Sequence, residues 1–344
     1  MGGRLTMAKI KRLFNDPYDI VEEMVEGYVG AHKQYVKMCD LDEAQGRVVL
    51  ANDVGTKDKV GVIIGGGSGH EPLFIGYVGE DFADAVVIGN INTSPSPDPC
   101  YAAAKACDNG KGCIYLYGNY AGDVMNFDMG AEKADEEDDI RVETVLVTDD
   151  VVSSENIPDR RGIAGDFFVF KVAGAKAATG ADLDEVVAAA QKANDNTRSM
   201  GVAMSSATLP AKGGTIFDME DGDMEIGMGI HGEPGIRRGK IDTADNVIDE
   251  IMEPILKDLP YVEGDEVYVL VNSLGATPLI DLHVCYRRVA QILEEKGIKV
   301  YKALVGPFAC SMDMAGMSVT LMKLDDELKE LMDAPCDTPY FTQK

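Results

Sequence analysis

Only four histidines occur in the 344 residues, and two of them belong to glycine-rich clusters. His70 ends Gly65-Gly66-Gly67-Ser68-Gly69, and His231 stands inside Gly227-Met228-Gly229-Ile230-His231-Gly232-Glu233-Pro234-Gly235; each cluster also carries a Glu-Pro pair. A titratable ring beside exposed backbone donors suits acid–base work on a hydroxyl group. The alternative for the first cluster is a plain tight turn, and for His231 a satisfied core histidine. Asp123, after Gly118-Asn119-Tyr120-Ala121-Gly122, adds a carboxylate, although an aspartate in a loop is often only a turn former. His32 and His283 lie in helical segments without partners and read as structural. The cluster at Gly65 is not a nucleotide P-loop, which ends in Gly-Lys-Ser/Thr, and it also fails the dinucleotide spacing. We read the two histidine clusters as two walls of one site.

The elements that must hold these residues alternate. Val60 to Ile64 has the length and composition of a buried strand. Ala85 to Ile88, Cys113 to Tyr117 and Val142 to Val147 follow, with helical or mixed stretches between them, which predicts a parallel or mixed sheet covered by helices. Three of these strands run into polar turns, at 65–70, 90–97 and 118–123, and ligands sit at the carboxyl ends of such strands. Asn15-Asp16-Pro17 predicts a helix start, with Val21, Met24, Val25 and Tyr28 on its packed face. The acidic run Asp135 to Asp139 reads as a solvated turn, and Ala181 to Asn194 as a helix. Beyond a glycine-rich stretch, Met224 to Ile230 alternates with Glu225 to His231, predicting a strand with His231 on its glycine side. Strands at Val267–Val271, Lys299–Val305 and Ser318–Met322, and a helix over Asp281–Lys296, complete a second half. The fold class is therefore α/β, in two domains, 1–198 and 199–344, each a parallel or mixed sheet covered by helices.

Length and composition support this. A chain of 344 residues exceeds the roughly 250–300 at which one core stops growing. Seven cysteines without a Cys-x-x-Cys pair argue against a disulfide framework and against a zinc site. A net charge of −27 argues against nucleic acid as a partner, because phosphate backbones are bound by clustered cations. No apolar run approaches a membrane span, and Met1 to Lys11 lacks the apolar core of a secretory signal. The expected location is cytoplasmic.

The chain resembles the dihydroxyacetone-binding subunit of dihydroxyacetone kinases over nearly its whole length after the first ten residues. The resemblance is carried in order by Gly-Gly-Gly-Ser-Gly-His-Glu-Pro at 65–72, Thr-Ser-Pro-Ser-Pro-Asp at 93–98, Asn-Tyr-Ala-Gly-Asp at 119–123, Gly-Ile-His-Gly-Glu-Pro-Gly at 229–235, Asn-Ser-Leu-Gly-Ala-Thr-Pro at 272–278 and Ser-Met-Asp-Met-Ala-Gly at 311–316. It implies that His231 adds through a ring nitrogen to a ketone as a hemiaminal, a bond that glycerol, with no carbonyl, cannot form. It implies further that His70 and Asp123 flank the hydroxyl to be phosphorylated, and that Gly66, Gly67, Ser68 and Gly69 hold the remaining hydroxyls. Phosphoryl transfer is largely positioning, so a short set of side chains suffices.

Gly118 stands where members specific for dihydroxyacetone carry a lysine. This removes a charge and, on the sequence, leaves a gap that would admit a longer ketose such as a tetrulose. The resemblance implies that this chain binds no cofactor or metal itself. ATP or ADP with Mg would sit on a partner nucleotide-binding subunit, recharged in some systems by a phosphotransferase-system protein, and the ketose-binding subunit would be a homodimer, inactive alone. The rival readings are a non-catalytic ketose-binding paralogue acting as a transcriptional co-regulator and, on a related fold, a fatty-acid-binding protein.

Overall fold

β-branched and aliphatic runs alternating with helices build the first layer. The computed structural model describes residues 12–344, so the reading of Met1 to Lys11 lies outside the described residues. The first half contains α1 (Ile20–Ala31), β1 (Val36–Met38), β2 (Val48–Ala51), β3 (Gly61–Ser68), β4 (Ala85–Ile91), α2 (Pro97–Cys107), β5 (Cys113–Gly118), α3 (Ala121–Asp138) and β6 (Val142–Val147). Its six strands pair in the order β1-β2-β4-β3-β5-β6. β4, β3, β5 and β6 are parallel, and the β1–β2 and β2–β4 pairings are antiparallel.

The chain continues through α4 (Asp166–Ala178), α5 (Leu183–Asp195), β7 (Thr197–Ala203), β8 (Thr208–Leu209), β9 (Gly214–Thr215), β10 (Asp223–Ile226), β11 (Arg237–Lys240) and α6 (Ala244–Asp258). Then come β12 (Glu266–Ser273), α7 (Leu279–Glu295), β13 (Lys299–Gly306), β14 (Gly316–Leu324), α8 (Asp326–Asp333), β15 (Cys336–Asp337) and β16 (Thr342–Gln343). A second six-stranded sheet runs β11-β10-β7-β14-β12-β13, with β12 and β13 parallel and its other pairs antiparallel. The sheets are mixed, as the alternation of elements predicts.

Period-2 alternation sorts the strand residues between layers. Ile63, Tyr115 and Tyr117 pack with Tyr101 of α2 and Phe127 of α3 on one face of the first sheet. Val62, Ile64, Ile114 and Leu116 face the other way, into a cluster with Phe167, Phe168 and Phe170 of α4. Tyr268 and Leu270 of the second sheet join that same cluster, and Phe168 lies 5.2 Å from Tyr268 between ring centroids. The outer face of the second sheet takes Ile248, Ile251 and Ile255 of α6 and Leu282, Val289 and Leu293 of α7. α4 is therefore shared by both sheets, and 11 of its 13 residues are buried, which accounts for its being apolar all round.

Several elements depart from the sequence reading. The first helix begins at Ile20 rather than at Asn15-Asp16-Pro17; Asp16 instead accepts from the Tyr18 amide and turns the chain ahead of it. The glycines at 65–67 do not form a turn but continue β3, which ends at Ser68. Asp135 to Asp138 belong to the last turn of α3, and Asp139 follows in the left-handed conformation, so the acidic run is the exposed end of a helix. The strand expected through His231 stops at Ile226, because Gly227 turns the backbone at φ +79°. β7 crosses the 198/199 point, and β15 bridges back from Asp337 to Glu80 of the first half.

Candidate functional site

The carboxyl ends of β3 and β5 leave a space that the second half closes. Gly65, Gly66 and Gly67 line it from β3, Gly118 from β5, Asp123 from α3, Asp166 from α4, and Ile230 and His231 from the segment after β10. The cleft is small, with a cavity volume of about 20 Å³. Of the residues singled out in sequence, His70, Asp123, His231, Gly66, Gly67 and Gly118 are brought together here. Ser68 and Gly69 are not in this lining: the Ser68 hydroxyl donates to the Gly89 carbonyl at 2.8 Å, and the Gly69 amide donates to the Glu71 carboxylate at 3.0 and 3.1 Å.

The glycines act through what they let approach. At Gly65 a side chain would meet the Val87 carbonyl at 2.6 Å, and at Gly67 the Thr93 amide nitrogen at 2.8 Å. Only glycine allows β3 to lie this close to its neighbours. At Gly118 a Cβ would lie 3.1 Å from both the Gly162 carbonyl oxygen and the Tyr120 ring, a tight but not closed direction.

The two histidines are in contact, with His70 Nε2 2.9 Å from His231 Nε2. His70 Nδ1 lies 2.8 Å from the Cys310 carbonyl, an acceptor, and therefore carries its proton there. His231 Nδ1 lies 3.0 Å from the Glu233 carboxylate and does the same. Both Nε2 atoms are then lone-pair sites, and their contact is a hydrogen bond only when the pair holds one further proton. Burial and the neighbouring His231 push His70 down to about 3. Burial alone would raise Glu233, but the bond to His231 and the charges of His231 and Arg161 bring it down to about 2. Tyr120 sets its ring edge-on to His231, at 4.6 Å between centroids, and is anchored by its hydroxyl to the Gly162 carbonyl.

Asp123 lies in the first turn of α3 and not in a loop. Its Oδ1 is buried without a hydrogen-bond partner, and burial pushes the carboxyl up to about 6, against the pull of the Ser94 hydroxyl and of His231. Asp166, unremarked in sequence, is 2% exposed, and its Oδ1 also has no partner. Burial, reinforced by Asp149 and Asp123, raises it well above the carboxylate range. The Cys310 carbonyl, the Tyr120 ring and Gly162 were missed as well. A backbone carbonyl and a packing ring have no signature in sequence, and Asp166 sits in a helix without periodicity.

A cavity at the carboxyl ends of parallel strands, walled by two imidazoles, two buried carboxyls and bare glycine backbone, defines an α/β protein with a polar site for a small ligand. The chain belongs to the Dak1 domain family, whose model matches residues 26–340. It is 60% identical to the PTS-dependent dihydroxyacetone kinase 2, dihydroxyacetone-binding subunit DhaK, of Listeria innocua, over 96% of this chain and 99% of that protein. It is 43% identical to the L-erythrulose 1-kinase of Mycolicibacterium smegmatis, over 96% of this chain and 57% of that protein. Among solved structures, the dihydroxyacetone kinase of C. freundii superposes with a TM-score of 0.86 at 31% identity, covering 97% of this chain and 60% of that one.

Proposed function

We propose that this chain is the ketose-binding subunit of a dihydroxyacetone-type kinase, taking dihydroxyacetone or a four-carbon ketose, and that His231 captures the ligand covalently. The observation that carries this reading is the line Cys310 carbonyl, His70, His231, Glu233, in contacts of 2.8, 2.9 and 3.0 Å along one wall of the cavity. The family relatives named above support it.

In this reading the ketone enters as the two rings part. Nε2 of His231 forms a bond to the carbonyl carbon while the carbonyl π pair becomes an oxygen lone pair. That oxygen takes up a proton from solvent while the ring, now substituted at Nε2, gives up its Nδ1 proton through Glu233, so that a neutral imidazole and a ketone give a neutral hemiaminal. Atoms and charge balance without a further reactant. Glycerol offers no carbonyl and cannot make this bond. Asp123 accepts the proton of the terminal hydroxyl as it attacks the phosphoryl donor, His70 orients that hydroxyl, and the backbone of Gly66 and Gly67 lines the rest of the ligand.

The donor comes on a separate nucleotide-bearing subunit, as ATP or as ADP recharged by a phosphotransferase-system protein, and the chain acts as a cytoplasmic homodimer that is inactive without that partner. Its reaction class is phosphoryl transfer to an alcohol. Calorimetric titration with dihydroxyacetone, erythrulose and glycerol tests the core of this. A ketose should bind and glycerol should not, with ketose binding lost in His231→Ala. A His231→Ala protein that binds ketose unchanged removes the mechanism and brings the co-regulator reading forward.

A further inference from the structure

Asp166 is the buried group that the proposed chemistry leaves unused. It opens α4, yet it does not cap that helix. In the turn ahead of the helix Asp149 accepts from Ile163 N and Gly165 N, each at 2.8 Å, and the first amides of the helix donate to the carbonyls of Ile163, Ala164 and Gly165. The Asp166 Oδ1 has no partner of any kind, and its side chain lines the cavity with His231 and Asp123. Glycines keep the space before it clear. A Cβ at Gly162 would come within 3.1 Å of Asp166 Oδ1 and would collide with Gly118 Cα.

The two carboxyls, each with one unpartnered oxygen, reach the cavity from opposite faces of the first sheet. Asp123 comes from α3, packed on the Tyr115–Tyr117 face, and Asp166 from α4, packed on the Ile114–Leu116 face. A ligand at the end of β5 lies between them. Asp123 serves the hydroxyl that reacts, which leaves Asp166 for the other end of the molecule. Burial and its acidic neighbours raise the Asp166 carboxyl and so favour the form that can both donate and accept, which matches a hydroxyl and not an ammonium group.

We propose that Asp166 is the specificity-determining residue of this cavity. Its carboxyl binds the hydroxyl of the extra hydroxymethyl arm that a four-carbon ketose carries beyond the dihydroxyacetone frame. This rests on the ketose reading above and adds to Gly118, where a side chain would be tightly met by the Gly162 carbonyl and the Tyr120 ring, a second origin for any preference for the longer substrate. A site built to hydrogen-bond a substrate hydroxyl rejects the analogue lacking it, so the effect is read as a ratio between ligands.

The test is calorimetric titration of wild type and Asp166→Ala with dihydroxyacetone, both enantiomers of erythrulose, and 1,3-dihydroxybutan-2-one, which keeps the fourth carbon and lacks its hydroxyl. Asp166→Ala, which removes both the donor and the acceptor, should weaken the preferred erythrulose about tenfold and dihydroxyacetone less than about threefold. Wild type should bind 1,3-dihydroxybutan-2-one about tenfold more weakly than erythrulose, a comparison that holds even if the variant does not fold. Equal losses for both ketoses, or equal wild-type affinity for erythrulose and its deoxy analogue, overturns the assignment of Asp166 alone. A wild-type chain that takes up no ketose overturns the ketose reading and this assignment together.

Discussion

Leaving a buried carboxyl oxygen without a partner costs about 1–3 kcal/mol, and this chain does so at Oδ1 of both Asp123 and Asp166 within one cavity. Such a cost is tolerated where a ligand supplies the missing hydrogen bond. For Asp123 the sign of the pH dependence follows from its carboxyl being pushed up to about 6. Above that pH it is a carboxylate that can accept the substrate proton, and below it the group is already protonated. On the proposed reading, the rate of phosphoryl transfer in the reconstituted kinase therefore falls as pH drops through about 6. Asp123→Asn should lower kcat by about 10²–10⁴ and abolish that acid limb, while ketose binding by calorimetry changes little. An Asp123→Asn enzyme with an unaltered acid limb would assign the limb to another group.

At the scale of elements, α4 is the piece on which fold and site both depend. It carries Asp166 at its start and packs against both sheets along its length. Its closest approach is at Gly174, where a Cβ would run into the Phe82 carbonyl oxygen. Gly174→Ala should destabilise the chain towards the upper end of the roughly 1–3 kcal/mol typical of overpacking, because the obstacle is backbone and cannot rotate away. Chemical denaturation followed by circular dichroism reads this directly, and a denaturation midpoint equal to wild type would show that Phe82 gives way. α4 is also the element that sequence reasoning passed over. A helix buried on every side has no polar stripe, so the 3.6-residue periodicity that marks α5 and α7 is absent from it. The same blindness hid Asp166.

Across the whole molecule, the two sheets do not own separate cores. One apolar cluster takes in Val62, Ile64 and Leu116 from the first sheet, Phe167, Phe168 and Phe170 from α4, and Tyr268, Leu270 and Met322 from the second. Lys171 of α4 ties in the C-terminal segment by donating to the carbonyls of Leu331 and Ala334 at 3.0 and 2.9 Å. A molecule of this length can unfold in parts, but halves that share one cluster lose it together. Differential scanning calorimetry should give a single transition whose van't Hoff and calorimetric enthalpies agree, and two resolved transitions would show that the halves are independent.

The sequence by itself determined the α/β class, most of the strands, the family and the three side chains His70, Asp123 and His231. Each of these is a local property: apolar runs of strand length, glycine clusters and ordered motifs survive without knowledge of the fold. Only the tertiary structure decided that Gly65 to Gly67 lie in a strand, that Gly118 is closely met by Gly162 and Tyr120, that the imidazoles of His70 and His231 meet, and that Asp166 lines their cavity with one oxygen unpartnered. Those facts depend on residues far apart in the chain. The Cys310 carbonyl that sets the tautomer of His70 is 240 positions away from it, and no local pattern encodes a contact made only when two sheets close on a common helix.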